Sequence, residues 1–255
     1  MYVAEAGRGG EAPCMPGPEG EVCYGASGAV TRVLDGQQER IASGLPSLGA
    51  IEDGSGAVGP HDIVVRGTDV FILVGLGADP AARDNPELPD SAADFGKLLR
   101  WTGTDAWEVV ADIAAHETAS NPDGGALDSN PYALLASGDE FIVADAGANA
   151  LVVVGADNNV TTLSVFPDVM VDAPGFLDLP EGTQMPMQAV PTTIVANPDG
   201  GFYMGQLTGF PFPGGAANVF MVTQDGASSI FLDGFTNISD IALDGDGNLW
   251  VLEIP

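Results

Sequence analysis

The chain has 255 residues, of which 36 are acidic and 7 basic, giving a formal net charge of −29, and 45% are hydrophobic. A single lysine, Lys97, and six arginines exclude phosphate-driven nucleic-acid binding and docking on anionic membranes, and the apolar fraction excludes a disordered chain. No apolar run approaches the ~18 residues of a membrane helix; the longest, 70–74, 141–144 and 150–154, are of strand length. Residues 1–6 read as the second half of a strand running into a turn. No secretory leader is visible there, and a signal peptide is expected upstream. Segment 7–26 is a Pro/Gly-rich insertion carrying the two cysteines, Cys14 and Cys23. With no further cysteine and no histidine nearby, a zinc site is disfavoured and a disulfide closing the 14–23 loop is expected, which points to an oxidising compartment. Two free thiols in a cytosolic protein are the alternative.

From residue 28 onward one pattern repeats. Short runs of Val, Ile, Leu and Phe alternate with Gly, Asp, Asn and Pro turns, which is strand chemistry. Helical periodicity is scarce: 91–101 could hold one helical turn, but Lys97-Leu-Leu-Arg-Trp101 reads better as a strand. A unit opening recurs at 59–74, 130–144, 190–204 and 237–251, and each of the first three openings is followed by a further hairpin, at 98–110, 150–163 and 217–231; residues 28–42 form the hairpin of an earlier copy. Four antiparallel strands per unit, repeated radially, describe a β-propeller. Blades need about 40–45 residues, so the surplus goes into insertions at 7–26, 77–94, 111–129 and 168–189. The expected architecture is all-β, a single propeller domain over 1–255. Residues 1–6 lack a preceding strand and 249–255 stop after the second strand of a unit, so the ring is expected to be truncated, incomplete at both ends, and not sealed by pairing these termini.

Several segments carry a family resemblance: Tyr2-Val-Ala-Glu-Ala-Gly-Arg-Gly-Gly10, Gly28-Ala-Val-Thr-Arg32, Gly59-Pro-His-Asp-Ile63, Asn130-Pro-Tyr-Ala-Leu134, Ala144-Asp-Ala-Gly147, Ala189-Val-Pro-Thr-Thr193 and Gln206-Leu-Thr-Gly-Phe-Pro-Phe-Pro213. They are similar to the ScyD/ScyE family, named for scytonemin biosynthesis, and stretches such as Gly247-Asn-Leu-Trp-Val-Leu-Glu253 look like the NHL repeat. The resemblance implies a six-bladed, NHL-like propeller exported from the cytoplasm, and little chemistry.

The residues offer few catalytic groups. No nucleophile motif or phosphate-binding glycine loop is present, and His61 and His116 are the only histidines. His61, at a unit opening, is either a ligand-binding group or general base at the channel mouth, or a histidine bonded to neighbouring backbone. His116 reads as a solvated loop residue. Aligned second strands end at Glu5, Gly75, Asp145, Gln206 and Glu253. Glu5, Asp145 and Glu253 are therefore candidates for a channel metal, calcium in particular, with Asn130 adding an oxygen; the alternative is that such acids cap turns. Asn130 and Gln206 also count as channel residues. Asp244-Gly-Asp-Gly-Asn248 mimics an EF-hand loop but reads as a tight hairpin turn, as do the Asn-Pro-Asp-Gly-Gly stretches at 121–125 and 197–201. Phe210 and Phe212, with Phe176, Met185 and Met187, form either a hydrophobic ligand groove or loops packed over a blade.

The leading expectation is a monomeric, extracytoplasmic, non-catalytic propeller binding a small molecule or protein on a loop-bearing face, in an accessory role that extends to secondary metabolism. The competing expectation is a calcium-dependent lactonase-type hydrolase of the gluconolactonase-like class, with His61 or a channel carboxylate as base. A purely structural interaction module is the third.

Overall fold

The computed structural model describes residues 1–17 and 20–254; residues 18 and 19, inside the expected 14–23 loop, and 255 lie outside the described residues. The apolar runs form strands and the Gly/Asp/Asn clusters form the turns between them. In the first sheet β1 (Tyr2–Glu5) and β2 (Cys14–Gly17) both pair with β3 (Gly20–Leu34), which pairs along its other edge with β4 (Gln37–Ala50). The second sheet runs β5 (Pro60–Arg66), β6 (Asp69–Val74), β7 (Lys97–Gly103), β8 (Ala106–Asp112), and is followed by the helix α1 (Ile113–Ser120). The third runs β9 (Pro131–Ser137), β10 (Glu140–Asp145), β11 (Ala150–Val154), β12 (Val160–Val165). A separate hairpin of β13 (Val169–Asp172) and β14 (Gln184–Met187) precedes the fourth sheet, β15 (Pro191–Ala196), β16 (Phe202–Gln206), β17 (Ala217–Val222), β18 (Ser228–Phe235). Last come β19 (Ile238–Leu243) and β20 (Leu249–Glu253), paired with each other.

All strand pairs are antiparallel, and the first strands of successive sheets are neighbours in turn: β5 against β9, β9 against β15, β15 against β19. These are radially arranged blades. The alternation of side chains along a strand explains why their second strands are apolar throughout. On β6, Ile72 and Val74 pack toward the first sheet while Phe71 and Leu73 pack toward the third. On β10, Phe141 and Val143 face back to the second sheet while Ile142 and Ala144 face on to the fourth. Each blade boundary is thus its own apolar layer, the last one joining Ala217 and Val219 to Ile238 and Ile241.

Among the described residues β1 pairs only with β3 and β20 only with β19, so residues 2–5 and 249–253 share no sheet. The insertions are more ordered than the sequence suggests. Segment 7–26 is loop only in part: β2 and the first half of β3 extend the first sheet, and Cys14 and Cys23 face each other across it, joined in a disulfide. Segment 168–189 holds the β13–β14 hairpin. Segment 111–129 holds α1, which places His116 on a helix rather than in a loop; the Asp112 carboxylate accepts the N–H of Ala115 as the N-cap and Asn121 ends the helix in a left-handed conformation, the local chemistry of a helix start and stop.

Candidate functional site

The starts of the first strands and the ends of the second strands lie on one face of the blades, and His61, Asn130, Tyr132 and Leu207 meet there. With Val22 and Val58 they line a cavity of about 520 Å³. His61 follows Pro60 at the start of β5. Its Nδ1 donates to the Pro131 carbonyl at 3.0 Å, and its ring lies 4.8 Å from that of Tyr132. A carbonyl only accepts, so the neutral ring carries its proton on Nδ1 and presents Nε2 as a bare acceptor. Burial lowers the imidazole pKa, and the Pro131 bond opposes this only in part. The site depends on Gly75 at the end of β6: a Cβ there would stand 2.1 Å from His61 Cε1 and 2.7 Å from Asn130 Oδ1. Absence of a side chain lets both groups reach the cavity.

Asn130 Oδ1 accepts the N–H of Leu76 at 3.2 Å, which fixes the amide orientation and leaves Nδ2 without a partner among the described residues. The far wall comes from the first sheet, where Val22 lies next to Cys23 and the disulfide ties β2 to β3 behind it. The cavity therefore offers the His61 acceptor, the Asn130 amide donor, the Tyr132 phenol and largely apolar walls, with Glu21 and Ser55 also in its lining. Val22 and the disulfide's bracing of this wall were not singled out from the sequence, since only the path of the β3–β4 extension brings them here.

The carboxylates aligned by the repeat do not converge. Glu5 accepts from the Thr31 hydroxyl and from Arg40; the Thr31 bond, the largest cause, together with Arg40 holds its carboxyl below the usual value against the opposing effect of burial. This ion pair lines a second crevice, with Arg8 and Ser27. Asp145 is 1% exposed and its oxygens accept from Ser129 Oγ (2.7 Å) and the N–H groups of Asn130 (2.6 Å), Gly147 and Ala148 (both 3.2 Å); burial pushes it up to about 6 despite these bonds. Glu253 accepts the N–H of Thr236. Among the described residues the one group of three acidic, His or Cys ligand atoms within 4.8 Å of one another is Cys14, Glu21 and Cys23, and its sulfurs are bonded to each other. Glu5, Asp145 and Glu253 thus do not fit a shared calcium ion: each closes a local turn or ion pair in its own blade.

Gln206 is not a free channel group either. It is buried, with Oε1 accepting from Asn218 at 2.8 Å and Nε2 donating to the Ala189 carbonyl at 3.4 Å. Phe210 and Phe212 are exposed and stack edge-to-face at 6.2 Å, with Phe176 at the same distance from Phe210. Met187 is buried, so the aromatics form a surface patch rather than a groove it shares. Asp244 caps its hairpin turn, accepting from Asn248, Asp246 and Trp250.

No protein-family model and no curated protein matches the sequence. Solved structures do. A gluconolactonase from Xanthomonas campestris aligns over 88% of this chain and 62% of its own, at TM-score 0.51 and 14% identity. Virginiamycin B lyase from Staphylococcus aureus aligns over 77% of this chain and 49% of its own, at TM-score 0.46 and 16% identity. The chain thus spans between half and two-thirds of the length of these structures. At such identity the likeness concerns architecture alone, and with the sheet topology it makes this an all-β, propeller-type fold of four-stranded antiparallel blades.

Proposed function

We propose that the chain is an extracytoplasmic propeller of the ScyD/ScyE kind that binds a small uncharged molecule in the His61 cavity and does not transform it. The observation that carries the reading is the pairing of a neutral His61, its Nε2 open, with the free amide donor of Asn130 in a largely apolar cavity. Ligand sites have this form: apolar lining with a few placed polar groups. The group that orients His61 is a carbonyl rather than a carboxylate, which suits a fixed hydrogen-bond acceptor better than a general base that must hold a proton in the reaction. The −29 charge disfavours anionic ligands. The disulfide and the lack, among the described residues, of a helix long and apolar enough to cross a membrane are compatible with export.

The test is a thermal-shift and NMR screen of the purified chain against neutral phenols, indoles and lactones. Binders should shift resonances of His61 and Tyr132 and lose at least tenfold in affinity in His61→Ala. Hydrolysis of a lactone by the wild type, lost in His61→Ala, would replace this reading with the hydrolase one.

A further inference from the structure

Between the second and third blades the chain gathers acids without bases. Glu117, on the last turn of α1, is 1% exposed, yet neither carboxylate oxygen makes a hydrogen bond of normal geometry among the described residues, the Asp128 N–H only approaching it. The loop that follows adds Oδ1 of Asn121 and Oδ1 of Asp128, both buried and both unpartnered. These four atoms, all within residues 117–128, are the complete set of buried unpartnered side-chain oxygens and nitrogens among the described residues. Native structures hold few such atoms, and Asp128 acts on Glu117 through its charge and its N–H, so the two ends of this twelve-residue stretch meet in space. Asp123 and Asp145 add negative charge at Glu117, and Asp79 adds it at Asp128. None of the five ion pairs of the described residues involves any of these acids.

We propose that this stretch binds a divalent cation, calcium by its chemistry, with Glu117, Asn121 and Asp128 supplying the side-chain oxygens. The donors are all oxygen, of mixed carboxylate and amide type, which suits a hard cation of flexible coordination and excludes the softer metals that prefer nitrogen or sulfur. The helix end adds to the attraction, since the last carbonyls of α1 carry the negative end of its dipole. No three acidic side chains here bring oxygens within 4.8 Å of one another; two carboxylates and an amide form the side-chain set, and backbone carbonyls and water complete the six to eight ligands of calcium. The site is separate from the channel alignment of Glu5, Asp145 and Glu253, whose oxygens are already engaged. Burial first, then repulsion from Asp145, Asp123 and Asp128, raises the Glu117 carboxyl to about 7, so binding is to be measured above this pH.

The experiment is thermal unfolding of the full, disulfide-bonded chain in millimolar calcium and in chelator, at mildly alkaline pH where Glu117 is ionised, with calorimetric titration of calcium alone. Calcium should raise the melting temperature by mass action on the folded state, and magnesium should raise it less. Glu117→Gln and Asp128→Asn should each lose at least tenfold in calcium affinity, while Glu253→Gln keeps the wild-type value. In chelator Glu117→Gln should melt no lower than the wild type, because the substitution removes a buried charge; if it fails to fold, Asp128→Asn carries the test. The proposal is overturned if millimolar calcium leaves the wild type unshifted, or if the shift survives unchanged in Asp128→Asn.

Discussion

The carboxylate of Asp62 on β5 accepts the backbone N–H of Leu134 on β9 at 2.7 Å, and its other oxygen accepts the N–H of Ile63. One side chain thereby links the innermost strands of two adjacent blades. A related link joins the fourth and fifth, made to the preceding blade and to a side chain: Asp240 accepts the N–H of Ile241 and the hydroxyl of Thr193 on β15, both at 2.8 Å. Both acids sit three residues into a unit opening, so the repeat places them alike. Burial raises the Asp62 carboxyl above its usual value, against the two N–H bonds that favour the charged form. Asp62→Ala strands two partly buried donors, each costing toward the lower end of the about 1–3 kcal/mol of a buried unsatisfied group. Urea denaturation should therefore show a loss of about 2–4 kcal/mol, with m unchanged; a loss within error of zero would mean that the blades are joined by apolar contact alone.

The blades themselves were legible from the sequence because two local signals agree on them. Period-2 burial with apolar faces on both sides gives unbroken runs such as 70–74, and each run ends in residues that favour turns. Inter-blade linkers were half legible: Asp62 stood in a recurring segment, but its partner is 72 residues away and no local pattern gives that distance. The insertions were misread for the opposite reason. In 111–129 the acids and the Asn-Pro-Asp-Gly-Gly turn suggested loop, while eight residues from Ile113 to Ser120 carry too weak an amphipathic pattern to betray a helix whose stability comes from its caps and its docking. Glu117 was invisible as a candidate because its burial follows from that docking. The channel alignment of Glu5, Asp145 and Glu253 rests on repeat arithmetic, but equivalent positions in a propeller need not point the same way: Asp145 turns back onto its own β10–β11 turn and Glu5 onto Arg40.

His61 makes stability depend on pH with a definite sign. Its folded pKa lies below the unfolded value of 6.5 because burial disfavours the imidazolium. The unfolded chain therefore takes up a proton first as pH falls, and this group's contribution is complete above 6.5 and is lost as pH drops through the folded value. The stability difference between wild type and His61→Gln should shrink between about pH 7.5 and pH 5. Measured by denaturant unfolding across that range, a difference that stays flat would show that His61 titrates alike in both states.

Opening the disulfide should loosen the cavity before it unfolds the blades. Cys14 and Cys23 are directly opposed in register, and the strand they hold presents Val22 to the cavity. Closing a loop of this length is worth about 2–4 kcal/mol in the chain-entropy account. The Cys14→Ser/Cys23→Ser double variant should lose a stability of that order and show faster amide exchange at 20–26 than at β9–β12. Equal acceleration in both regions would mean that the extension unfolds only with the whole domain.

Arg83 offers a test of how α1 is held. Its guanidinium donates to both oxygens of Asp112 at 2.8 Å and to the Phe95 carbonyl at 2.8 Å, and its side chain is only 11% exposed. Asp112 is at once the ion-pair partner and the N-cap of α1, through Ala115 N–H at 2.9 Å. Removing the arginine therefore leaves a partly buried carboxylate unpaired at the start of the helix that carries Glu117. Arg83→Ala should cost about 2–3 kcal/mol, less than the ~3–5 of breaking a fully buried pair because Asp112 keeps some solvent. Arg83→Lys should recover only part of this, since an ammonium cannot span both carboxylate oxygens and the carbonyl in one plane. Amide exchange separates a local effect from a global one: protection should fall in 113–120 first and remain in β10 and β11, because the cap fails before the blade core does. Uniform loss across all strands would place Arg83 in the global folding unit and remove the helix cap from the explanation.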